Sequence, residues 1–243
     1  MLFPSTLLLL LSLCGALFSS EKPRFQYHGR AVDLKTGRYL YSDNHKEFFK
    51  NGKHLFSDIE YKDGEGKIFA TKHIEFDQNP SLPTFETLDS RDGYTEGAEV
   101  NGKTVRLYYR RKKEDNLEEK TYTPKTPAVM DGGFDYFVRL NWDSLMKGDR
   151  LQFHFVTPVQ LDDYSFAVEK IEDTQWKNRS AVSLRLEVDN IVLKRIVDPF
   201  YLIYDKSSKR LLQFEGLSNI NDSKGKSLKV KITYDYPQSV LEP

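Results

Sequence analysis

Three short motifs in this sequence contain the residue types of a serine acyl-transfer site. Ser144-Leu145-Met146-Lys147 reads S-x-x-K, Ser42-Asp43-Asn44 reads S-D-N, and Lys35-Thr36-Gly37 reads K-T-G. Together they are signature elements of serine β-lactamases and penicillin-binding proteins, in which the serine is the nucleophile. Their order along this chain is reversed, and Ser144 falls near the end of a predicted helix, where the nucleophile should open one. A serine hydrolase is therefore a remote alternative, and we assign no catalytic residue.

The histidines do not form a second candidate centre. They are scattered along the chain, at His28, His45, His54, His73 and His154. No two of them have a spacing that would present them together on a strand or helix, as a local zinc site requires. The loop Asn219–Gly225 carries oxygen side chains at alternate positions, but Lys224 occupies the place of the glycine in an EF-hand loop. We therefore predict no metal site and no cofactor.

The elements that would position any site are mainly strands. The dipeptides Asn51-Gly52, Asp63-Gly64 and Asn101-Gly102 are typical of type I′ hairpin turns, which need positive φ at both central residues. Apolar and polar side chains alternate in many segments, such as Val105–Tyr109 and Leu228–Tyr234. Period two, repeated this often, predicts an antiparallel sheet with one face exposed to water.

Residues 133–147 break the alternation and predict one main helix. Asp131 precedes the segment as a cap, and Gly148 follows it as a stop. One helix and a long sheet favour a curved antiparallel sheet wrapped around that helix, as a half-barrel or open barrel, and a sandwich or closed barrel is the alternative. We expect a single β-rich domain over residues 21–243.

Residues 1–20 have the composition of a signal peptide. Leu7–Leu11 is an unbroken leucine run, and no charged side chain precedes Glu21. The apolar stretch is too short to span a membrane, which takes roughly 20 apolar residues. We therefore predict an exported protein, periplasmic or secreted. A lipid anchor on Cys14 is a less favoured alternative, because Leu13 stands where a lipobox requires a small residue.

Charge and aromatic content limit the classes of partner that this protein can bind. The chain has 36 basic and 36 acidic residues, so it lacks the basic excess of a nucleic-acid-binding protein. Aromatic residues make up 13% of the chain, and Phe134, Phe137 and Trp142 cluster on the predicted helix. Such rings usually fill a core. The functional alternative is that they line a cleft between helix and sheet that takes an apolar ligand.

Several segments resemble landmarks of a family of exported, β-rich bacterial proteins that is known only as uncharacterised. The segments are Gly133-Phe134-Asp135, Asn141-Trp142-Asp143, Asp198-Pro199-Phe200, Tyr204-Asp205 and Phe214-Glu215-Gly216-Leu217-Ser218-Asn219. The resemblance covers most of the chain after the signal and implies an envelope location, but no activity. The predicted architecture is also similar to that of half-barrel lipid and lipoprotein carriers of the bacterial envelope, with no motif behind that similarity.

The leading hypothesis from the sequence is a non-enzymatic envelope protein that binds or carries an apolar or amphipathic ligand, such as a lipid. The alternative is a structural or protein-interaction module of the envelope, whose exposed sheet edge pairs with a strand of a partner protein. A cavity lined by apolar side chains would favour the carrier. An unprotected edge strand with a filled interior would favour the interaction module.

Overall fold

The computed structural model describes residues 22–189, 197–222 and 224–241, and the chain in these ranges is mostly β-strand. The predicted signal peptide, residues 1–20, and Cys14 lie outside the described residues, so export and lipid attachment remain predictions. The strands of the N-terminal half are β1 (Phe25–Asp33), β2 (Tyr39–Lys50), β3 (Lys53–Lys62), β4 (Ile68–Glu75), β5 (Thr84–Asp89), β6 (Tyr94–Asn101), β7 (Thr104–Arg110) and β8 (Glu118–Tyr122).

The C-terminal half contains the helices and the remaining strands. In chain order these are β9 (Ala128–Val129), α1 (Gly133–Leu140), α2 (Trp142–Lys147), β10 (Leu151–Thr157), a 3-10 turn (Pro158–Gln160), β11 (Asp162–Trp176), β12 (Arg179–Val188), β13 (Phe200–Asp205), β14 (Leu211–Asn221), β15 (Ser227–Asp235) and α3 (Gln238–Leu241). In the described part of the chain, no helix has the length and apolar character needed to cross a membrane.

The fifteen described strands form one sheet, in the order β8-β7-β6-β5-β4-β3-β2-β1-β15-β14-β13-β12-β11-β10-β9. The chain starts at the centre with β1, runs outward strand by strand to β8, crosses to β9, and returns strand by strand to β15, which pairs with β1. Neighbours are antiparallel, as in β1–β2 and β11–β12, except that β9 and β10 are parallel. The predicted mainly β, antiparallel class is confirmed.

The sheet is open and strongly curved. Strands β8 and β9 are its two edges. The two ends of the sheet nevertheless approach each other, because Lys120 Nζ on β8 lies 3.3 Å from Asp162 Oδ1 on β11. The 3-10 turn Pro158–Gln160 also contacts β6 and β7. The inner face of the N-terminal strands therefore faces the C-terminal half across a partly open space.

The hairpin turns follow the predicted chemistry in part. Asn51 and Gly52 both have positive φ, at 52° and 78°, as a type I′ turn between β2 and β3 requires. At Asn101-Gly102 only the glycine has positive φ, at 60°. The turn that begins at Asp63 is longer than a two-residue turn, since the Asp63 side chain accepts hydrogen bonds from the backbone N–H groups of Glu65 and Lys67.

The single helix predicted over residues 133–147 is two short helices. Asn141 separates them, with φ −106° and ψ 19°, and both its backbone N–H and its side-chain Nδ2 donate to the carbonyl of Phe137. Asn141 thus ends α1 and turns the chain into α2. The break rotates the apolar stripe, so that Leu140 is 71% exposed while Trp142 and Leu145 are buried.

The helices pack mainly against the C-terminal part of the sheet, although Tyr136 on α1 also contacts His54 on β3. Val138 and Trp142 belong to a core cluster with Phe153, Val168 and Leu184, which come from β10, β11 and β12. The N-terminal strands form a second cluster around residues such as Ile59, Ile74 and Leu107. The expectation that one main helix would cover the whole sheet, including the N-terminal strands, is not confirmed.

Candidate functional site

A cavity of about 740 Å³ lies inside the curve of the sheet. We call it the central cavity. Its walls come from the inner faces of β1–β6 and β10–β15, from α1 and from the 3-10 turn. The volume is within the range of roughly 300–1,000 Å³ that is usual for small-molecule sites.

Strand β2 lays a row of polar side chains along one wall. Tyr41, Asp43, His45 and Glu47 point into the cavity, because side chains two residues apart share a face of a strand. Asp43 and Glu47 are each 4% exposed as residues. Burial of charged groups is costly unless they are paired, so each member of this row needs an account of its partners.

Glu47 has a full partner. Arg210 Nη1 and Nη2 donate to its two carboxylate oxygens at 2.6 and 3.0 Å, in a buried bidentate pair. Burial pushes the pKa of Glu47 upward, but the hydrogen bonds and charge of Arg210 outweigh it and hold that pKa below its ordinary value. Close by, Arg139 on α1 pairs with Asp135 at 2.8 Å.

Asp43 and His45 lack such partners. Asp43 Oδ1 and His45 Nε2 are 3.6 Å apart, and neither atom has a hydrogen-bond partner among the described residues. The Asp43 side chain is 6% exposed. Tyr27 stacks on the His45 ring, with centroids 4.5 Å apart and planes 9° apart. An unsatisfied buried carboxylate is uncommon and calls for an explanation.

Lys72 on β4 is another buried charged group in the cavity wall. It donates to Asp131, which precedes the N-cap residue Gly132 of α1, and its side chain is 2% exposed. Burial raises the pKa of the neighbouring Glu96 to about 7, with a further rise from Asp131 and an opposing effect of the Lys72 charge. Glu96 therefore titrates near neutral pH.

The nearest arrangement to a nucleophile and base is a hydrogen-bonded chain in the cavity wall. His54 Nε2 lies 2.9 Å from Ser57 Oγ, and His54 Nδ1 lies 2.8 Å from Tyr136 OH. Burial lowers the pKa of His54 to about 4, with help from the charge of Arg139. A general base works best with a pKa near the operating pH, so this imidazole is better suited to hold Tyr136 in place than to activate Ser57.

The aromatic residues named from the sequence are placed in two environments. Phe134 lies in the wall of the central cavity. Phe137 and Trp142 lie in the packed core beside it, where Phe137 contacts Phe153 at 4.9 Å between centroids and Trp142 contacts Tyr204 at 6.2 Å. That any of the three contacts a ligand stays a prediction.

The serine-enzyme motifs are not gathered at the cavity. Ser144 lies on α2, Lys35 in the turn between β1 and β2, and Ser42 on the outer side of β2, between the inward-facing Tyr41 and Asp43. None of these three residues is part of the cavity wall. Within the described residues, no group of three or more His, Cys, Asp or Glu side chains is arranged to hold a metal ion.

The buried charges are the residues that sequence reasoning misses. Lys72 interrupts an otherwise apolar inward series at Ala70, Ile74 and Phe76. In β2 both faces are polar, so the period-two test detects neither the strand nor its inner row. A usable signal is the alternation of aromatic and acidic residues, Tyr41-x-Asp43 and Tyr94-x-Glu96, at strand spacing.

Comparison with known proteins adds no relative. A scan against protein-family models finds no match for this chain, and a search among curated proteins finds none either. The resemblance to an exported bacterial family therefore stays a prediction.

Proposed function

We propose that this protein is a non-enzymatic binder or carrier that holds an amphipathic ligand in the central cavity. We also propose that it is exported and acts in the cell envelope. The observation that carries the proposal is the cavity itself, about 740 Å³ of space inside the curved sheet. Protein interiors are otherwise packed with few voids larger than a water molecule. A cavity of this size is expected in a binding protein and is not needed in a purely structural module.

The chemistry of the walls favours an amphipathic ligand over a purely apolar one. Apolar side chains such as Ile59, Ile74 and Met130 line part of the cavity. The same space is also bordered by buried charged groups, including Asp43 and Glu96. Burying roughly 400 Å² of an alkyl chain would contribute on the order of 10 kcal/mol before entropy losses, while the polar groups would orient the head of the ligand.

The alternative, a module that binds a partner strand at a sheet edge, has weaker support. The edge strand β8 is five residues long, Glu118–Tyr122, and three of them are charged. The other edge strand, β9, has two residues. Short, charged edges are devices by which β proteins avoid pairing with other chains. These edges therefore offer little backbone for strand addition.

Native mass spectrometry of protein purified gently from its own host, followed by organic extraction, tests the proposal. We expect a stoichiometric extra mass that extracts as an apolar or amphipathic molecule. A clean apo mass, together with no binding of an apolar fluorophore, would reject the carrier function and leave the edge-pairing module as the leading hypothesis.

A matched pair of variants locates the ligand. Ile59→Trp adds a ring at a position that lines the cavity, and Leu88→Trp adds the same ring on β5 at a position 43% exposed. We expect Ile59→Trp to weaken fluorophore binding at least tenfold and Leu88→Trp to leave it unchanged. Equal binding by the two variants would place the ligand elsewhere.

A further inference from the structure

Resting on the proposed function, we infer that the central cavity selects a ligand with a protonated amine, and that Asp43 is the group that binds it. The charged groups of the cavity wall support this inference. Five carboxylates line the cavity, namely Asp43, Glu47, Glu96, Asp131 and Asp135. Three of them are neutralised by basic side chains, because Glu47 pairs with Arg210, Asp131 with Lys72 and Asp135 with Arg139.

Asp43 lines the cavity with a buried, unsatisfied carboxylate oxygen and, unlike Asp135, which also has one, has no Lys or Arg partner among the described residues. Its Oδ1 has no hydrogen-bond partner in the described ranges, and its side chain is 6% exposed. The nearest polar atom recorded for it, His45 Nε2, is 3.6 Å away and is itself without a hydrogen-bond partner there. A buried carboxylate oxygen without a donor is unfavourable, so a donor supplied by a ligand would gain the full benefit of a charge-assisted hydrogen bond.

The strand register surrounds Asp43 with aromatic rings. Tyr61 on β3 lies directly opposite Asp43 on one side, and Gly29 on β1 lies directly opposite it on the other. Tyr234 on β15 lies opposite Gly29, and Tyr41 precedes Asp43 by two residues on the same face. Aromatic faces attract ammonium groups and tolerate their alkyl substituents, whereas they do nothing comparable for a carboxylate.

Gly29 makes room for this carboxylate. A Cβ atom at residue 29 would lie 2.0 Å from Asp43 Oδ1 and 2.8 Å from a ring carbon of Tyr234. The missing side chain lets the Asp43 carboxylate lie over the β1 backbone, between the aromatic residues and beside the cavity. The geometry is that of a small anionic pocket with aromatic walls.

Apolar side chains of the same cavity would hold the apolar part of the ligand. Ile59 lies opposite His45 in the β2–β3 register, and Ile232 precedes Tyr234 by two residues on the inner face of β15. Ile74 and Met130 extend the apolar wall. A single-chain amine would place its head at Asp43 and its tail along these residues.

Three probes of equal chain length test the selectivity: dodecylamine, dodecanol and dodecanoic acid, each measured at pH 8 by displacement of a bound apolar fluorophore. A primary amine is protonated at this pH. We expect the wild-type protein to bind dodecylamine at least about tenfold more tightly than dodecanol, as a charge-assisted hydrogen bond would give, and to bind dodecanoic acid least.

Asp43→Asn and Asp58→Asn form the matched pair of variants. Asp58 lies on β3 with its side chain 44% exposed, so Asp58→Asn makes the same chemical change outside the cavity. Asp43→Asn should bring dodecylamine within about twofold of dodecanol and leave dodecanol binding unchanged, while Asp58→Asn should keep the wild-type ratio. Equal binding of amine and alcohol by the wild-type protein would overturn the inference and leave the carrier function standing. Failure of all three probes, with a clean apo mass, would overturn both.

Discussion

Strands β10–β13 and strands β1–β6 belong to one sheet, yet their inner faces carry different side chains. The helices α1 and α2 pack against β10–β13 in an apolar cluster around Phe153 and Leu184. Both groups of strands border the central cavity, but β10–β13 line it with mostly apolar and aromatic side chains, whereas β1–β6 direct Asp43, Lys72 and Glu96 into it. The C-terminal strands thus give the cavity an apolar wall backed by the helices, and the N-terminal strands give it a wall with buried charges.

The difference shows how one fold can be stable and still keep a cavity for a ligand. Close packing of apolar side chains is the main favourable contribution to stability, whereas buried charges and voids reduce it. Confining the buried charges of the sheet wall mainly to the N-terminal strands leaves the apolar C-terminal strands to stabilise the whole sheet. Substitutions that compare the two halves test this division.

The largest effect is expected from a core truncation in the covered half. Phe153 is 1% exposed and contacts the rings of Phe134, Phe137, Phe155 and Phe166. Phe153→Ala should lower the free energy of unfolding by about 4 to 5 kcal/mol. Phe85→Ala, on the cavity wall, should cost only about 2 to 3 kcal/mol because its side chain already borders empty space. Denaturant unfolding measures both, and equal costs would contradict this difference in packing between the two groups of strands.

A somewhat smaller loss is expected from breaking the buried pair at the cavity wall. Arg210→Met leaves the Glu47 carboxylate buried without its partner and should cost about 3 to 4 kcal/mol. The double variant with Glu47→Gln should recover most of that loss. Arg106→Met, which removes exposed pairs with Glu99 and Glu119, is the control and should barely change the unfolding midpoint. A loss that the double variant does not recover would mean that Arg210 acts by packing on Phe25 and Tyr236 instead.

The smallest effect concerns Glu96 and depends on pH. Its pKa rises from an ordinary value of 4.5 to about 7 in the folded state, so between these values the folded protein holds more protons than the unfolded chain. Stability therefore falls as pH rises from about 4.5 to 7, by up to about 3 kcal/mol. Glu96→Gln should remove this loss, so its stability relative to wild type should increase between pH 5 and pH 8.

His54 contributes an opposite slope and must be separated from Glu96. Its pKa is lowered from 6.5 to about 4, so its contribution to stability rises with pH between those values. The two slopes cancel over much of this range in the wild-type protein. Only the difference between Glu96→Gln and wild type isolates Glu96, and a difference that is flat with pH would show that the carboxyl titrates normally.

The outline of the fold follows from local patterns. Alternation in segments such as Leu228–Tyr234, where Val230 and Ile232 are buried, predicts half-buried strands, and Asn51-Gly52 predicts the tight turn that joins β2 to β3. The division of the predicted helix at Asn141 has no comparable signal, since the apolar spacing alone runs through it. The break at Asn141 lets the apolar faces of both α1 and α2 pack against the sheet.

Period two and turn chemistry are short-range properties, and they decided that this chain forms antiparallel strands. The pocket is a long-range property. Asp43 has a polar residue on each side in the sequence, and only the pairing of β2 with β1 and β3 places it opposite Gly29 and Tyr61. The curvature of the whole sheet decides whether the inward-facing side chains of a strand pack against a helix or border the cavity. Curvature is summed over many strands, so no single segment of the sequence specifies it.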